Sequence, residues 1–352
     1  MNYSHDFDDE GNMNHSPDSP GELDDHHDHD DQDHGDDDDN MSDYGDSIVS
    51  EFTTIRSNCL HFEYENGRRY QGLITGRYGL PNDEPEQARE GYKHKLYSDY
   101  VLGGKHFLAP IGNNPQKIVD LGCGAGFWPL DVAELYPSAK IIGSDISPIQ
   151  PPWLPNNVEF HIEDLDDEFQ DWTSVYQNAD LIYMRSVLQT IRNSELFLDR
   201  VYENLKPGGW IECHEIVLPA TWEDGTEAPD HPISVLYERM NQGSYAQVYG
   251  WEVFLPKRLP EVLRDAGFVN VQEKHTHVPI GRWHSERRSR EMGMLNHTII
   301  IDWVAAVMNK YRELGMNEDE ADKFVGELLD AMDNNRMHAR LDWAAFWAQK
   351  PY

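Results

Sequence analysis

The chain has 352 residues with 64 acidic against 29 basic side chains, a formal net charge of −35. That balance argues against direct nucleic-acid binding, which needs clustered Lys and Arg. No apolar run approaches the roughly 18 residues of a membrane span or forms a signal-peptide core. The three cysteines (59, 123 and 213) have no C-x-x-C spacing, so a soluble protein of a reducing compartment is expected in place of a disulfide or zinc framework.

Charge is unevenly placed. Residues 1–50 contain no Lys or Arg but 18 of the 64 acids and six histidines. Such a segment cannot bury enough apolar surface to offset its ordering entropy and is expected to be disordered. A solvated polyanion, or a contact for a basic partner, suits it better than a metal tract, because nothing fixes a ligand geometry. The basic cluster Arg287-Arg288-Ser289-Arg290 is bounded by acids and reads as helix surface.

Residues 51–110 are expected to form an N-terminal lid. Its helix runs from Pro85 to Leu102 with Ala88, Tyr92, Leu96 and Tyr100 along one face. Covering a sheet edge would serve as well as covering a ligand. Next comes KIVDLGCGAGFWPLDVAELYPSAKIIGSD, from Lys117 to Asp145. It reads as strand, glycine loop, helix, strand and terminal acid, half of a nucleotide-binding βαβ unit. Asp145 follows the last glycine, Gly126, by 19 residues, the spacing at which a second-strand carboxylate can meet a ribose diol. Pro129 suits the first helical turn.

Two ligands compete for such a loop. A dinucleotide wants G-x-G-x-x-G, whereas Asp120-Leu-Gly122-Cys-Gly124-Ala-Gly126 alternates its glycines behind an acid. An acid at the loop entrance repels a pyrophosphate but suits an ammonium. S-adenosylmethionine has an amino-acid end, a ribose and a sulfonium, and no phosphate.

Further along, four prolines between Pro148 and Pro155 exclude regular structure. Strands are expected at 158–162, 179–185 and 210–217, with an Asn193-capped helix that stops at Lys206-Pro207-Gly208-Gly209. Then come a helix over 257–266, a strand over 268–279, helices over 285–312 and 318–333, and a last strand over 341–349. Alternation of this kind predicts an α/β, Rossmann-like doubly wound sheet. The expected domains are the 1–50 tail, the 51–110 lid and a 111–352 sheet domain with a helical insertion at about 285–335.

The first motif, D-x-G-x-G-x-G, resembles that of class I methyltransferases, as does the run LKPGGWIE over 205–212. ENGRRY (65–70), LPNDEPEQAR (80–89), GKHFLAPI (104–111), IIGSDISPIQPPWLPNNVEF (141–160), PIGRW (279–283), EMGMLN (291–296) and RMHAR near the end resemble the fungal LaeA-like methyltransferases over roughly 55–352. That resemblance implies a seven-stranded fold and S-adenosylmethionine as cofactor. It implies cofactor contacts at Asp120, Gly122, Cys123, Gly124, Gly126, Asp145, Ile146, Asp164 and Leu165, the Asp164-Leu165 pair serving the adenine. It further implies regulation of secondary metabolism and development, complexes with velvet-type or other partners, and a nuclear or cytoplasmic location. The loop departs modestly from the family's pattern, with Leu-Gly-Cys-Gly-Ala-Gly where Gly-Thr-Gly-Thr-Gly is common.

Methyl transfer needs alignment above all, and a base only when the acceptor must lose a proton. No metal triad, Asn-Pro-Pro-Tyr or double-Glu hairpin appears. The catalytic candidates are His214, Tyr183 and Arg185, beside Glu215, at the ends of the fourth and fifth strands; a structural role for His214 is the competing reading. Tyr70, Tyr78 and Tyr97 are candidates for a pocket lining or for packing. Three functions stay open: a methyltransferase acting on a protein within a regulatory complex, one acting on a small metabolite, and a non-catalytic regulatory subunit.

Overall fold

The computed structural model describes residues 61–223, 225, 230–243, 245–334 and 338–352. The expected acidic tail lies outside them. The described chain opens with a hairpin, β1 (Phe62–Glu65) and β2 (Arg68–Gln71). Asn66 and Gly67 turn it with φ of 48° and 77°, the double positive φ that a tight hairpin turn requires. Four-residue strands are too short to declare themselves by alternation, and the sequence reading had no strand here.

Helix α1 (Glu84–Lys95) starts where Asp83 caps it by accepting the Glu86 N–H at 3.3 Å. It continues as a π-helical turn through Leu96–Val101. The helix stands where expected, but only the C-terminal part of its expected apolar face is inward, with Leu96 buried and Tyr100 half-buried. Ala88 and Tyr92 are exposed, while Glu86, Arg89 and Lys93 are buried. Ion pairing resolves the paradox: Arg89 pairs with Glu86 and Glu90, and Lys93 with Glu90 at 2.7 Å. Charges that neutralise one another can face inward where a lone one cannot.

Seven strands follow: β3 (Lys117–Leu121), β4 (Lys140–Asp145), β5 (Val158–Ile162), β6 (Ala179–Arg185), β7 (Leu205–Trp222), β8 (Val269–Pro279) and β9 (Ala339–Gln349). Their order across the sheet is β5-β4-β3-β6-β7-β9-β8. The first five strands in that order run parallel, and β9 lies antiparallel between β7 and β8. The chain winds outward from β3 to β5 and then returns to β6. The order therefore reverses between β3 and β6, and a crevice opens above their carboxyl ends. Both central strands are covered on two faces, with Ile118, Val119, Leu121, Leu181, Ile182 and Met184 all buried. This is why they read as apolar runs and not as alternation.

Around the sheet lie α2 (Phe127–Leu135), α3 (Thr173–Tyr176), α4 (Ser194–Asn204), α5 (Pro232–Gln242), α6 (Leu259–Asp265), α7 (Arg287–Met308) and α8 (Glu318–Asp333). Helix α4 is capped by Asn193, and α8 by a capping box between Asn317 and Glu320. The short α3 and the helix α5 were not anticipated. Between β8 and β9, α7 and α8 pack with α5 against the β7–β9 side in an apolar cluster that includes Leu236, Ile299, Val304, Leu328, Leu341 and Trp343.

Candidate functional site

The crevice at the reversal point is a cleft of about 1140 Å³, its open mouth included. Its floor is the loop between β3 and α2. Gly124 sits at φ 56° with nothing within 4 Å of where a Cβ would stand. The backbone is thus bare toward the cleft at the point where a ligand would approach. Gly126, at φ 81°, caps α2, and a Cβ there would come within 2.6 Å of the Phe160 ring. Of the residues the sequence nominated for cofactor contact, Gly126 alone does not line the cleft. Asp120, Gly122, Cys123, Gly124, Asp145, Ile146, Asp164 and Leu165 all do.

Asp145 ends β4 beneath the loop. One carboxylate oxygen accepts the Gly124 N–H at 2.8 Å and the other the Ser147 N–H at 2.9 Å. Burial outweighs these bonds and pushes its pKa up to about 6. Each oxygen keeps lone-pair capacity for a further donor. Asp120 is buried deeper at the loop entrance, where burial raises its pKa well above the ordinary value and the Arg185 charge opposes the rise. Burial likewise keeps the Cys123 thiol protonated, which marks it as a packing residue and not a nucleophile.

The wall opposite the sheet comes from the segment before β3. Arg77 pairs with Asp164 at 2.9 Å and with Asp166, so the loop ahead of α1 is tied across the end of β5. Asn82 donates to the Ser147 hydroxyl at 3.2 Å. Tyr78, Glu90 and Lys93 line the same wall. The lid was expected, and Tyr78 was a candidate lining residue, but Arg77, Asn82, Glu90 and Lys93 were missed. Nothing local marks them, because they reach the cleft only through the long-range packing of the lid. Tyr70 is elsewhere, accepting from Asn309 at 2.8 Å. Tyr97 is buried beside His214 and Trp343, with ring centroids at 5.1 and 4.8 Å.

The catalytic candidates divide. Tyr183 and Arg185 line the cleft, and His214 does not. His214 is wholly buried behind Tyr183, and both of its ring nitrogens are engaged. Nδ1 lies 2.8 Å from the Tyr183 hydroxyl and Nε2 lies 2.6 Å from Glu212. The Glu212 carboxylate also accepts the backbone N–H groups of Leu108 and Ala109 at 2.8 and 2.7 Å. It is therefore an acceptor, Nε2 carries the imidazole proton, and Nδ1 receives the Tyr183 O–H. Burial lowers the His214 pKa and keeps the ring neutral. Tyr183 also stacks face to face on Trp128, with centroids 3.8 Å apart. The chain Glu212–His214–Tyr183 is a brace that ties β6, β7 and the loop before β3 together. Glu215, another nominated group, is buried and absent from the cleft lining.

Beside Arg185, the ligand atoms of His94, His106 and Asp131 lie within 4.8 Å of one another. Arg185 can only donate, so His94 Nδ1, 3.1 Å away, is its acceptor. His94 Nε2 then carries the proton and donates to Asp131 at 2.8 Å. In that tautomer the nitrogen offers a cation no lone pair. His94 and Asp131 form a hydrogen-bonded clasp between α1 and α2, with His106 Nδ1 3.5 Å from Asp131 and without a hydrogen-bond partner.

A methyltransferase-domain family matches residues 92–273. Methyltransferase pytC of Aspergillus terreus is 32% identical over 308 residues, covering 86% of this chain and 92% of its own length. Secondary metabolism regulator LAE1 of Cochliobolus heterostrophus is 32% identical, covering 65% of this chain and 74% of its own. Protein-methionine methyltransferase laeA of Emericella nidulans is 30% identical, covering 70% and 65% respectively. With the β5-β4-β3-β6-β7-β9-β8 sheet, these relationships place the chain among the LaeA-like class I S-adenosylmethionine-dependent methyltransferases.

Proposed function

We propose that this protein binds S-adenosylmethionine in the cleft at the β3–β6 reversal and catalyses transfer of its methyl group. The observation that carries the proposal is the pairing of Asp145 with the bare Gly124 backbone at the floor of that cleft. The cofactor, when bound, supplies a methyl group activated on a sulfonium. Asp145 would hold the ribose hydroxyls. Asp120 and the loop from Gly122 to Gly124 would take the amino-acid end, since a buried acid beside bare backbone favours an ammonium over a phosphate. Asp164 and Leu165 would flank the adenine, with Arg77 drawing the lid across it. The aromatic rings of Tyr78, Phe127 and Tyr183 line the same cleft, an environment that favours a sulfonium cation.

The relatives named as regulators of secondary metabolism support placing this chemistry in such regulation. We extend that to development and to a complex with a velvet-type or other partner protein, in the nucleus, the cytoplasm or both. Methylation of a small secondary metabolite and a non-catalytic regulatory role are the alternatives.

Titration calorimetry of the pure protein with S-adenosylhomocysteine is expected to show binding. Asp145→Ala is expected to weaken it at least tenfold, as loss of charge-assisted hydrogen bonds does. No binding by the native chain would sink the enzyme reading in favour of the regulatory subunit. Unchanged affinity in the variant would refute the role of Asp145.

A further inference from the structure

Behind the lid wall lies a second cavity of about 790 Å³, its open mouth included. It shares Tyr78, Glu90, Lys93, Ser186 and Thr190 with the cofactor cleft, so the two spaces adjoin across one boundary. Its walls come from elements far apart in sequence: Ile216 and Leu218 of β7, Met240 of α5, Ile299 and Ile300 of α7, and Val253. Most of these side chains are buried.

On the side shared with the cleft the lining is polar, with the ion-paired Arg89, Glu90 and Lys93 beside Ser186, Gln189 and Thr190. Within the apolar remainder, three polar groups have no hydrogen-bond partner. They are the Asn296 carbonyl oxygen and the indole N–H groups of Trp251 and Trp343. All three residues line the cavity, and each is at least nine-tenths buried. The Asn296 orientation is fixed, because its amide nitrogen donates to the Pro279 carbonyl at 2.9 Å. Its oxygen is therefore the free group. Buried polar groups are rarely left unpaired, and three around one cavity mark a place for a ligand that would satisfy them.

Resting on the methyl-transfer reading above, we infer that this cavity is the acceptor site and takes a small molecule with a flat apolar body, a hydrogen-bond donor for Asn296, one or more acceptors, and a second hydroxyl that receives the methyl group. A phenolic carbonyl compound has that chemistry. Its hydroxyl proton matches Asn296, its carbonyl matches an indole N–H, and its ring matches the aliphatic and tryptophan walls. Transfer to a second hydroxyl at the shared boundary forms the C–O bond as the S–C bond breaks. The electron pair stays with sulfur, and the hydroxyl proton passes to water in the cleft.

The test is a tryptophan-fluorescence titration with 7-hydroxycoumarin and a set of hydroxynaphthoates, with S-adenosylhomocysteine binding measured in parallel by calorimetry. The native protein is expected to show saturable quenching. Ile300→Trp, which fills the cavity, is expected to weaken probe binding more than tenfold and leave S-adenosylhomocysteine binding unchanged. Trp251→Phe keeps an aromatic wall but removes the N–H with the pyrrole half of the indole; it is expected to cost three- to tenfold and carries the test if Ile300→Trp does not fold. Absence of saturable binding by every probe while S-adenosylhomocysteine binds would overturn the inference alone, as would native-like probe affinity in both variants. Probe binding without S-adenosylhomocysteine binding would instead overturn the donor assignment, and the acceptor role with it.

Discussion

Asp145 is buried enough for its pKa to rise to about 6 despite two backbone N–H donors. Ribose hydroxyls donate to the ionised carboxylate, so binding would stabilise that form and release a proton near pH 6. Affinity for S-adenosylhomocysteine is therefore expected to be flat above pH 7 and to fall about tenfold per pH unit below 6. Calorimetry from pH 5 to 8, in buffers of different ionisation enthalpy, reads both the slope and the proton. A pH-independent affinity, or the same slope in Asp145→Asn, would remove Asp145 from the ribose. This carboxylate was legible in the sequence because loop, helix and acid are contiguous, and their spacing is set by one βαβ unit. His214 was not legible in the same way. Sequence placed it at a strand end, but only the packing of β6 on β7 shows Tyr183 standing between it and the cleft.

Elements show a similar division. The glycine loop contains two positions with opposite duties. An Ala at 126 would meet the Phe160 ring at 2.6 Å in a left-handed conformation, whereas an Ala at 124 would meet nothing and project toward the cleft. Gly126→Ala is expected to lose about 2–4 kcal/mol of unfolding free energy, from strain plus overpacking, measured by urea denaturation. Gly124→Ala is expected to lose about 1 kcal/mol, from backbone strain alone, and to weaken S-adenosylhomocysteine binding more than its neighbour does. Equal effects of the two on both measurements would contradict this division of duties. Helix α1 was expected from Pro85, yet its inward face was anticipated only at Leu96 and Tyr100. Periodicity analysis assumes that buried means apolar, and here Glu86, Arg89, Glu90 and Lys93 satisfy one another across the wall of the site.

At the scale of the whole molecule, Glu215 is a buried acid whose titration bears on folding stability near neutral pH. It sits within β7 with one oxygen accepting the Leu188 N–H at 3.2 Å and the other unpartnered. Burial pushes its pKa up to about 8 from 4.5, partly opposed by the Lys93 charge. The folded state thus holds this proton more tightly than the unfolded chain does. The contribution is fully present below about pH 4.5, declines as pH rises, and is lost above about 8. Across pH 6 to 8, Glu215 alone would remove on the order of 2–3 kcal/mol of stability. Glu215→Gln is expected to flatten the pH dependence of urea unfolding by that amount relative to the native protein. Parallel profiles for the two proteins would show that Glu215 does not carry this cost.

By itself, the sequence determined the strand–loop–helix pattern, the glycine loop with its two acids, the strands that follow and the family to which they belong. All of these are written in short stretches where local spacing and backbone chemistry suffice. The tertiary structure alone decided which charged residues of the lid face the cleft, that His214 is a brace behind Tyr183, and that β7, β9, α5 and α7 enclose a second cavity beside the first. Those features depend on side chains from residues 77 to 343 converging in space, and no local pattern encodes a convergence of that range.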